Sequence, residues 1–225
     1  MVRPIGTSAF LYSDKKKQKG KKSSKKNEDN AEEHLSADAY VDFRRNQLKD
    51  AVKEWYPADF EQPSHKIGEI LAKYAHLENG DTVREDSVVI CGRIQNIRTQ
   101  GKKLYFIDVR GQESQIQVKA HLDLYGETLH SEIDHLRRGD LICIRGHPSR
   151  TKAGELSVSA TKVTLTAPCM RIMANNKVEL ENVDKRFRRR HVDFLVGGGE
   201  RREVLKTRHK VFRAIRQFLD DEGND

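Results

Sequence analysis

The sequence predicts a mainly β fold with flanking helices, in the α+β class. Between residues 88 and 168, five runs alternate apolar and polar side chains, which is the period of a half-buried strand. Apolar residues on either side of this region recur at the spacing of a helix instead. The five strand-like runs, separated by glycine-containing turns, read VVICGRIQNIR, LYFIDVR, SQIQVK, LICIRGHP and ELSVSATKVTLT.

The order of these elements predicts one kind of barrel. Residues 121–138, between the third and fourth runs, are long enough for a helix. Five strands with a helix between the third and the fourth form the Greek-key barrel of the OB-fold, which binds oligonucleotides on one face. SH3-like barrels and other small β domains share the strand count, so this prediction rests on the order of the elements.

The composition divides the chain into four predicted segments. Residues 1–34 form a disordered lysine-rich tail, because its lysine run lacks the apolar residues that would offset the entropy cost of ordering. Residues 35–80 form a helical segment that packs on the barrel, and residues 81–168 form the barrel itself. Residues 169–225 form a hinge and the first helix of an incomplete further domain. Helices are expected over 35–55, around 67–76 and over 203–221, with a glycine-rich loop at 196–200.

The charge of the chain favours a polyanionic partner. Lysine and arginine outnumber aspartate and glutamate by 42 to 34, which gives a formal net charge of +8. Nucleic acid and acidic membrane surfaces are the partners that a basic protein favours. No stretch approaches the ~20 apolar residues of a spanning helix, and residues 1–12 lack a secretory pattern. We therefore expect a cytoplasmic protein without a membrane partner, which leaves a nuclear or mitochondrial pool open.

The three cysteines, Cys91, Cys143 and Cys169, are far apart in the chain and lie among apolar residues. Their odd number and wide spacing argue against a disulfide framework and against a zinc site. We therefore expect buried free thiols and a reducing compartment.

The lysines of the tail are candidate RNA contacts. Eight of them lie between residues 15 and 26. Such an arm would add affinity for RNA phosphates that is sensitive to salt and independent of RNA sequence. A solvated tail, a nuclear-import signal or a protein-binding segment explains the same composition, and these alternatives stay open. The candidates are Lys15, Lys16, Lys17, Lys21 and Lys22.

Strand alternation sorts the side chains of the barrel into an inner and an outer face. Phe106, Gln117 and Glu155 fall on the outer face of the second, third and fifth runs. An aromatic platform stacks on an unpaired base, while an amide and a carboxylate contact the edge of that base. Arg93 and Arg98 are candidates to hold neighbouring phosphates. Taken singly, each of the three could also be barrel filling or ordinary surface.

A family resemblance is carried by three longer runs, GRIQNIRTQGKKLYFIDVRG, LRRGDLICIRGHPSRTKAGELSVSATKVTLTAPC and VDKRFRRRHVDFLV. They resemble the anticodon-binding domain and hinge of class II lysyl-tRNA synthetases of the eukaryotic cytosolic type. The likeness covers residues 37–222. It implies that the barrel reads the central uridine of the anticodon. It also implies that Phe106 stacks on this base, and that Gln117 and Glu155 contact its edge.

The same resemblance implies what the full-length enzyme would do. In that family, a catalytic domain binds ATP and magnesium and joins lysine to tRNA(Lys). Here Asn224 and Asp225 stand where the family continues into its catalytic motifs. We therefore expect this chain to bind tRNA(Lys), to hold no catalytic residue, cofactor or metal, and to be inactive alone. A homodimer is implied only for the full-length enzyme, and a multi-synthetase complex is a further implied partner.

Two other functions stay open. One is a stand-alone OB-fold RNA-binding or scaffold protein descended from a synthetase. The other is an aspartyl- or asparaginyl-tRNA synthetase relative, because those enzymes share the barrel. The basic hinge residues contact tRNA or pair with acids at a domain interface; they are Arg186, Arg188, Arg189 and Arg190.

Overall fold

The computed structural model describes residues 35–112, 114–173, 180, 182–196 and 198–223. The chain divides into two compact units, residues 1–173 and 174–225, and each is described by itself. Several predicted features lie outside the described residues, namely the chain end at Asn224 and Asp225 and the tail with Lys15, Lys16, Lys17, Lys21 and Lys22.

The first unit is built on a closed five-stranded barrel. Its strands β1 to β5 span Val88–Gln100, Leu104–Arg110, Gln115–His121, Leu141–Arg150 and Leu156–Ala167. Around the barrel they follow the order β1-β2-β3-β5-β4. All neighbours are antiparallel except β3 and β5, which are parallel. This topology confirms the predicted mainly β fold and its OB-fold barrel.

Four helices flank the barrel in the described part of the first unit. Helices α1 to α4 span Ala37–Ala51, Ile67–Lys73, Leu122–Tyr125 and Leu129–Ile133. Helix α1 begins after Ser36, whose hydroxyl accepts the backbone N–H of Ala39 at 3.2 Å and so caps the first turn. Both α1 and α2 lie within the ranges predicted for them, and both end earlier than predicted.

A buried ion pair joins α1 to the barrel. Arg44 donates hydrogen bonds to the two carboxylate oxygens of Asp140, at 3.0 and 2.9 Å, and neither side chain is exposed. Asp140 also accepts the backbone N–H of Arg137 at 2.7 Å and that of Cys169 at 2.6 Å. One carboxylate therefore ties together the first helix, the turn before β4 and the segment after β5.

Alternation along the strands fills the barrel. On β2, Tyr105, Ile107 and Val109 are buried, and the residues between them are half-buried. β4 passes close to β5 at Gly146, where an added Cβ would lie 2.3 Å from the backbone oxygen of Ser159. Glycine is therefore required at this crossing, because no side chain fits between the strands.

A β-bulge in β1 decides which of its side chains share a face. The register between β1 and β2 shifts between Ile94 and Asn96, which makes Gln95 an extra residue. An extra residue reverses the alternation of side chains beyond it. Arg93 and Arg98, which regular alternation would place on opposite faces, therefore share the outer face.

The connection between β3 and β4 contains two short helices instead of the single helix predicted. Gly126 separates α3 from α4, with a φ of 92° that glycine adopts without strain and that ends a helix. The hydroxyl of Tyr125, the last residue of α3, accepts the backbone N–H of Val163 at 2.6 Å. Burial raises the pKa of this phenol. This hydrogen bond holds helix α3 against β5.

None of the three cysteines forms a disulfide. Cys91 and Cys143 lie directly opposite each other on β1 and β4. The interaction of these two facing thiols lowers the pKa of Cys91 and raises that of Cys143. Only Cys143 is buried, whereas Cys91 and Cys169 are half-buried, so the prediction of buried thiols was too general.

The described part of the second unit is helical. Helices α5 to α7 span Val183–Arg188, Arg190–Val196 and Gly198–Asp221. The predicted loop at 196–200 is wrong in part, because α7 begins at Gly198 and not near residue 203. Glycine destabilises a helix chiefly in its interior, so the first turn of α7 can contain glycines. No helix among the described residues combines the length and apolar character needed to cross a membrane.

Three of the four hinge arginines pair with acids of their own segment. The buried carboxylate of Asp193 accepts from Arg186 Nε at 3.1 Å and from Arg190 Nη1 at 2.8 Å. Arg188 pairs with Asp184 one helical turn away, at 2.9 Å. The basic run therefore forms ion pairs within the second unit.

Candidate nucleic-acid interface

Two neighbouring rows of side chains cross the outer face of β1, β2 and β3. In the first row, Arg98 lies opposite Phe106, and Phe106 lies opposite Lys119. Directly opposite residues have Cβ atoms about 4.5–5.5 Å apart, so side chains within a row touch or nearly touch. The second row continues across the parallel β3–β5 pair and contains Asn96, Asp108, Gln117 and Ser157.

An amide and a carboxylate meet at the end of the second row. Gln117 Nε2 donates to Glu155 Oε2 at 2.8 Å. Gln117 is only 7 % exposed, whereas Glu155 lies exposed in the turn before β5. Thr151 holds this turn, because its hydroxyl accepts the N–H of Glu155 at 3.1 Å and its own N–H donates to the Glu155 carbonyl oxygen at 2.9 Å. The carboxylate is therefore positioned by the β4–β5 turn and the amide by β3.

Phe106 provides an aromatic surface in the first row. It is half-buried on β2, between side chains that point into the barrel. Its cross-strand neighbours, Arg98 and Lys119, are both cationic. Every base has a π-face, so an aromatic ring in such a position can stack on a base while the flanking cations attract the adjoining phosphates. The three predicted base-reading residues, Phe106, Gln117 and Glu155, lie in these two adjacent rows.

The two predicted phosphate contacts already have protein partners. Arg93 Nη1 donates to the carbonyl oxygen of Gly139 at 2.6 Å. Arg98 Nη2 donates to Asp108 Oδ1 at 3.1 Å. Both arginines lie on the predicted face, but a phosphate would have to share each guanidinium with its present acceptor. Their role as phosphate contacts stays a prediction.

Alternation also places Ser157 and Ser159 on the outer face, with Glu155. The register keeps both on the outer side of β5, yet they are 0 % and 2 % exposed. Ser159 Oγ shares a hydrogen bond with Ser149 Oγ at 2.9 Å. Thr82 forms a β-bridge with Ser149 and so lies alongside this end of β4. Both serines are on the predicted face, but parity gives the direction of a side chain and not its exposure.

The barrel matches a known domain family over nearly its whole length. Residues 88–166 match the tRNA anticodon family of OB-fold nucleic acid binding domains. This range begins with β1 and ends within the last residues of β5. The barrel is a tRNA anticodon-binding OB-fold domain. The predicted fold and the predicted domain type are therefore confirmed.

The anticodon-binding domain is homologous to the corresponding domain of lysine–tRNA ligases. The chain is 31% identical over 198 residues to a lysine–tRNA ligase of Cladosporium cladosporioides, covering 84% of this chain and 33% of that protein. It is 32% identical over 192 residues to the lysine–tRNA ligase of Dehalococcoides mccartyi, covering 85% and 38%. The lysine–tRNA ligase of Moorella thermoacetica is 33% identical over 178 residues, covering 79% and 35%. The chain thus spans about a third of the length of these relatives.

Lys119 is a candidate contact of the anticodon-binding domain that the sequence reasoning missed. It lies directly opposite Phe106 on β3. No hydrogen bond or ion pair is found for its ammonium group among the residues that the structure describes. Its parity, shared with Gln117, placed it on the outer face, but nothing in the sequence distinguished it from the other lysines. Unlike Arg93 and Arg98, it can meet a phosphate without losing a present partner.

We expect Lys119→Met to weaken RNA binding at low salt and to flatten its salt dependence. Removing one phosphate contact to a single strand should lower the slope of log K against log salt by about 0.7. The measurement is a series of filter-binding titrations over a range of salt concentrations. Lys162→Met is the control, because Lys162 is an exposed lysine of β5 opposite Arg145, away from the Phe106 row. A slope equal to that of the control would remove Lys119 from the interface.

Within the part of the chain that the structure describes, no group of three or more histidine, cysteine, aspartate or glutamate side chains is arranged to hold a metal ion. The two rows on the outer face of the barrel consist of an aromatic ring, cations, an amide and a carboxylate. These groups are suited to stacking, hydrogen bonding and phosphate attraction.

Proposed function

We propose that this chain binds the anticodon loop of a lysine tRNA, with the central uridine of the anticodon stacked on Phe106. One observation carries the proposal. The half-buried ring of Phe106 lies one row away from the hydrogen-bonded amide and carboxylate of Gln117 and Glu155. A stacking surface beside edge-reading groups is the arrangement by which single-stranded RNA bases are recognised.

The chemistry of the two polar side chains fits a uracil edge. Uracil presents an N3–H donor between two carbonyl acceptors. An ionised carboxylate only accepts hydrogen bonds, so Glu155 suits the N3–H. The amide of Gln117 has a second N–H donor that its bond to Glu155 leaves unused, and a uracil carbonyl can accept it.

We further propose that the protein to which this chain belongs is a lysine–tRNA ligase of the cytoplasm. Support comes from the relatives, which are lysine–tRNA ligases about three times as long as the matched part. Lysine activation with ATP and magnesium is proposed for the regions that those relatives have in addition. No described residue of this chain is assigned to ATP or to magnesium. Membership of a multi-synthetase complex and homodimer formation are proposed for the same longer protein.

Competition between RNA hairpins tests the proposed function. The chain should bind a hairpin with a lysine anticodon more tightly than hairpins in which the central uridine is replaced. Loss of one edge contact is worth about 1 kcal/mol, which is about fivefold in affinity. Equal binding to every hairpin would favour a stand-alone single-strand binder. Preference for an aspartate or asparagine anticodon would favour the aspartyl or asparaginyl relative.

A further inference from the structure

A buried serine lies against the amide that reads the base. Ser157 is 0 % exposed and lies opposite Gln117 across the parallel β3–β5 pair. Its Oγ is 3.2 Å from Gln117 Oε1 and 3.2 Å from the backbone oxygen of Glu155. The single hydroxyl hydrogen of Ser157 is thus shared between the two residues that form the edge-reading pair.

The contacts of Gln117 allow only one orientation of its amide. The carboxylate of Glu155 accepts and cannot donate, so the NH2 group of the amide must face it. The amide oxygen then faces Ser157, whose hydroxyl is the donor that this oxygen needs. Turning the amide by 180° would place its oxygen against the carboxylate and its NH2 group against the Ser157 hydroxyl. The carboxylate of Glu155 therefore excludes the turned amide, and the Ser157 hydroxyl holds the remaining orientation by donating to Oε1.

We propose that Ser157 is a positioning residue for base recognition, which holds the amide of Gln117 in the orientation that Glu155 selects. The proposal rests on the proposed function of this face as the reader of a uridine. With the amide fixed, one N–H of Gln117 stays available beside the carboxylate of Glu155. Ser157 touches no RNA itself, because it is fully buried.

A fixed amide discriminates between the two pyrimidines. Uracil offers a carbonyl oxygen to the N–H of Gln117 and its N3–H to Glu155. Cytosine in the same stacked position has an amino group where uracil has O4 and a lone pair where uracil has N3–H. Its amino group would face the N–H of Gln117, and its N3 lone pair would face the carboxylate. Without the Ser157 hydroxyl, the amide is held at one end only and can move away from the cytosine amino group, which relieves the first of these conflicts. The loss of Ser157 should therefore reduce the discrimination.

The experiment compares Ser157→Ala with Ser159→Ala in the whole chain. Ser159 is also a buried serine of β5, but its hydroxyl contacts Ser149 and not Gln117. The probes are two RNA hairpins that differ only in uridine or cytidine at the central anticodon position. The measured quantity is the dissociation constant of the cytidine hairpin divided by that of the uridine hairpin. We expect S157A to reduce this ratio about three- to tenfold, the value of one hydrogen bond, and S159A to leave it unchanged.

Further variants keep the test independent of folding. Ser157→Thr retains the hydroxyl and should keep the ratio, even if the added methyl group weakens binding of both hairpins equally. Ser157→Cys retains the size and weakens the donor, so it should lower the ratio if S157A does not fold. The fluorescence of Trp55, the single tryptophan, reports whether each variant is folded.

The outcomes separate this inference from the function on which it rests. If the unaltered chain binds both hairpins equally, the proposed function fails. If the unaltered chain prefers uridine and S157A or S157C shows the same preference, the positioning role is overturned while the function stands. Equal weakening of both hairpins by S157A would show that Ser157 only supports the fold, and would also overturn the inference.

Discussion

Asp140→Asn is expected to lower the free energy of unfolding of the first unit by about 3–5 kcal/mol. The substitution leaves the guanidinium of Arg44 buried without a counter-charge, because neither partner of this pair is exposed. An asparagine also has one oxygen where the carboxylate has two, and the carboxylate accepts from Arg44 and from two backbone N–H groups. The decrease in the free energy of unfolding should therefore exceed the decrease caused by breaking any single ion pair on the surface.

Urea unfolding followed by the fluorescence of Trp55 measures this loss. Trp55 is the single tryptophan and packs against the core of the first unit, so it reports on that unit alone. Glu61→Gln is the control, because Glu61 pairs with Arg145 at the surface, and such pairs contribute about 0–1 kcal/mol. The double variant Arg44→Met with Asp140→Asn should lose less than the sum of the two single losses. A loss for Asp140→Asn no larger than the control would show that the buried pair does not hold α1 to the barrel.

Phe106→Ala is expected to weaken binding of a lysine-anticodon hairpin by about 1–3 kcal/mol, the range for loss of one base-stacking contact. That range is roughly five- to 150-fold in the dissociation constant. Phe106→Trp retains an aromatic platform and should retain most of the affinity. The loss of affinity should come from the missing ring and not from unfolding, because Phe106 is half-buried on the outer face and does not fill the barrel.

Filter-binding titrations of the hairpin measure the effect of Phe106→Ala. Phe60→Ala is the matched control, because Phe60 is also half-buried but lies beside Cys143 and Arg145, away from the two rows. The control should bind RNA as the unaltered chain does. If both phenylalanine variants bind equally well, base stacking on Phe106 is excluded, and the aromatic residue serves only the packing of the sheet.

The strands could be predicted from the sequence because alternation and burial have the same cause. On β2, every second residue enters the barrel, so Tyr105, Ile107 and Val109 mark the inner face in sequence and structure alike. The break at Gly126 between α3 and α4 is marked by a glycine, but a glycine alone does not reveal a positive φ. The start of α7 was predicted too late because glycines are typical of loops as well as of helix ends.

The interface was predicted only in part because its details depend on contacts between distant residues. Phe106, Gln117 and Glu155 share a face by parity, but the hydrogen bond between Gln117 and Glu155 joins residues 38 positions apart. The bulge at Gln95 has no marker in the sequence, although it decides that Arg93 and Arg98 share a face. Ser157 is buried against Gln117 and Glu155, and alternation does not report such contacts.

The ion pair between Arg44 and Asp140 also has a consequence for the order in which the chain is made. The two residues are 96 positions apart, and the arginine comes first. On the ribosome, α1 emerges with a cation that cannot be buried until the turn before β4 has followed it. Cys169, which also donates to this carboxylate, emerges later still. The first unit therefore cannot form this ion pair early in synthesis. Helix α1 stays exposed to solvent until most of the barrel has been translated.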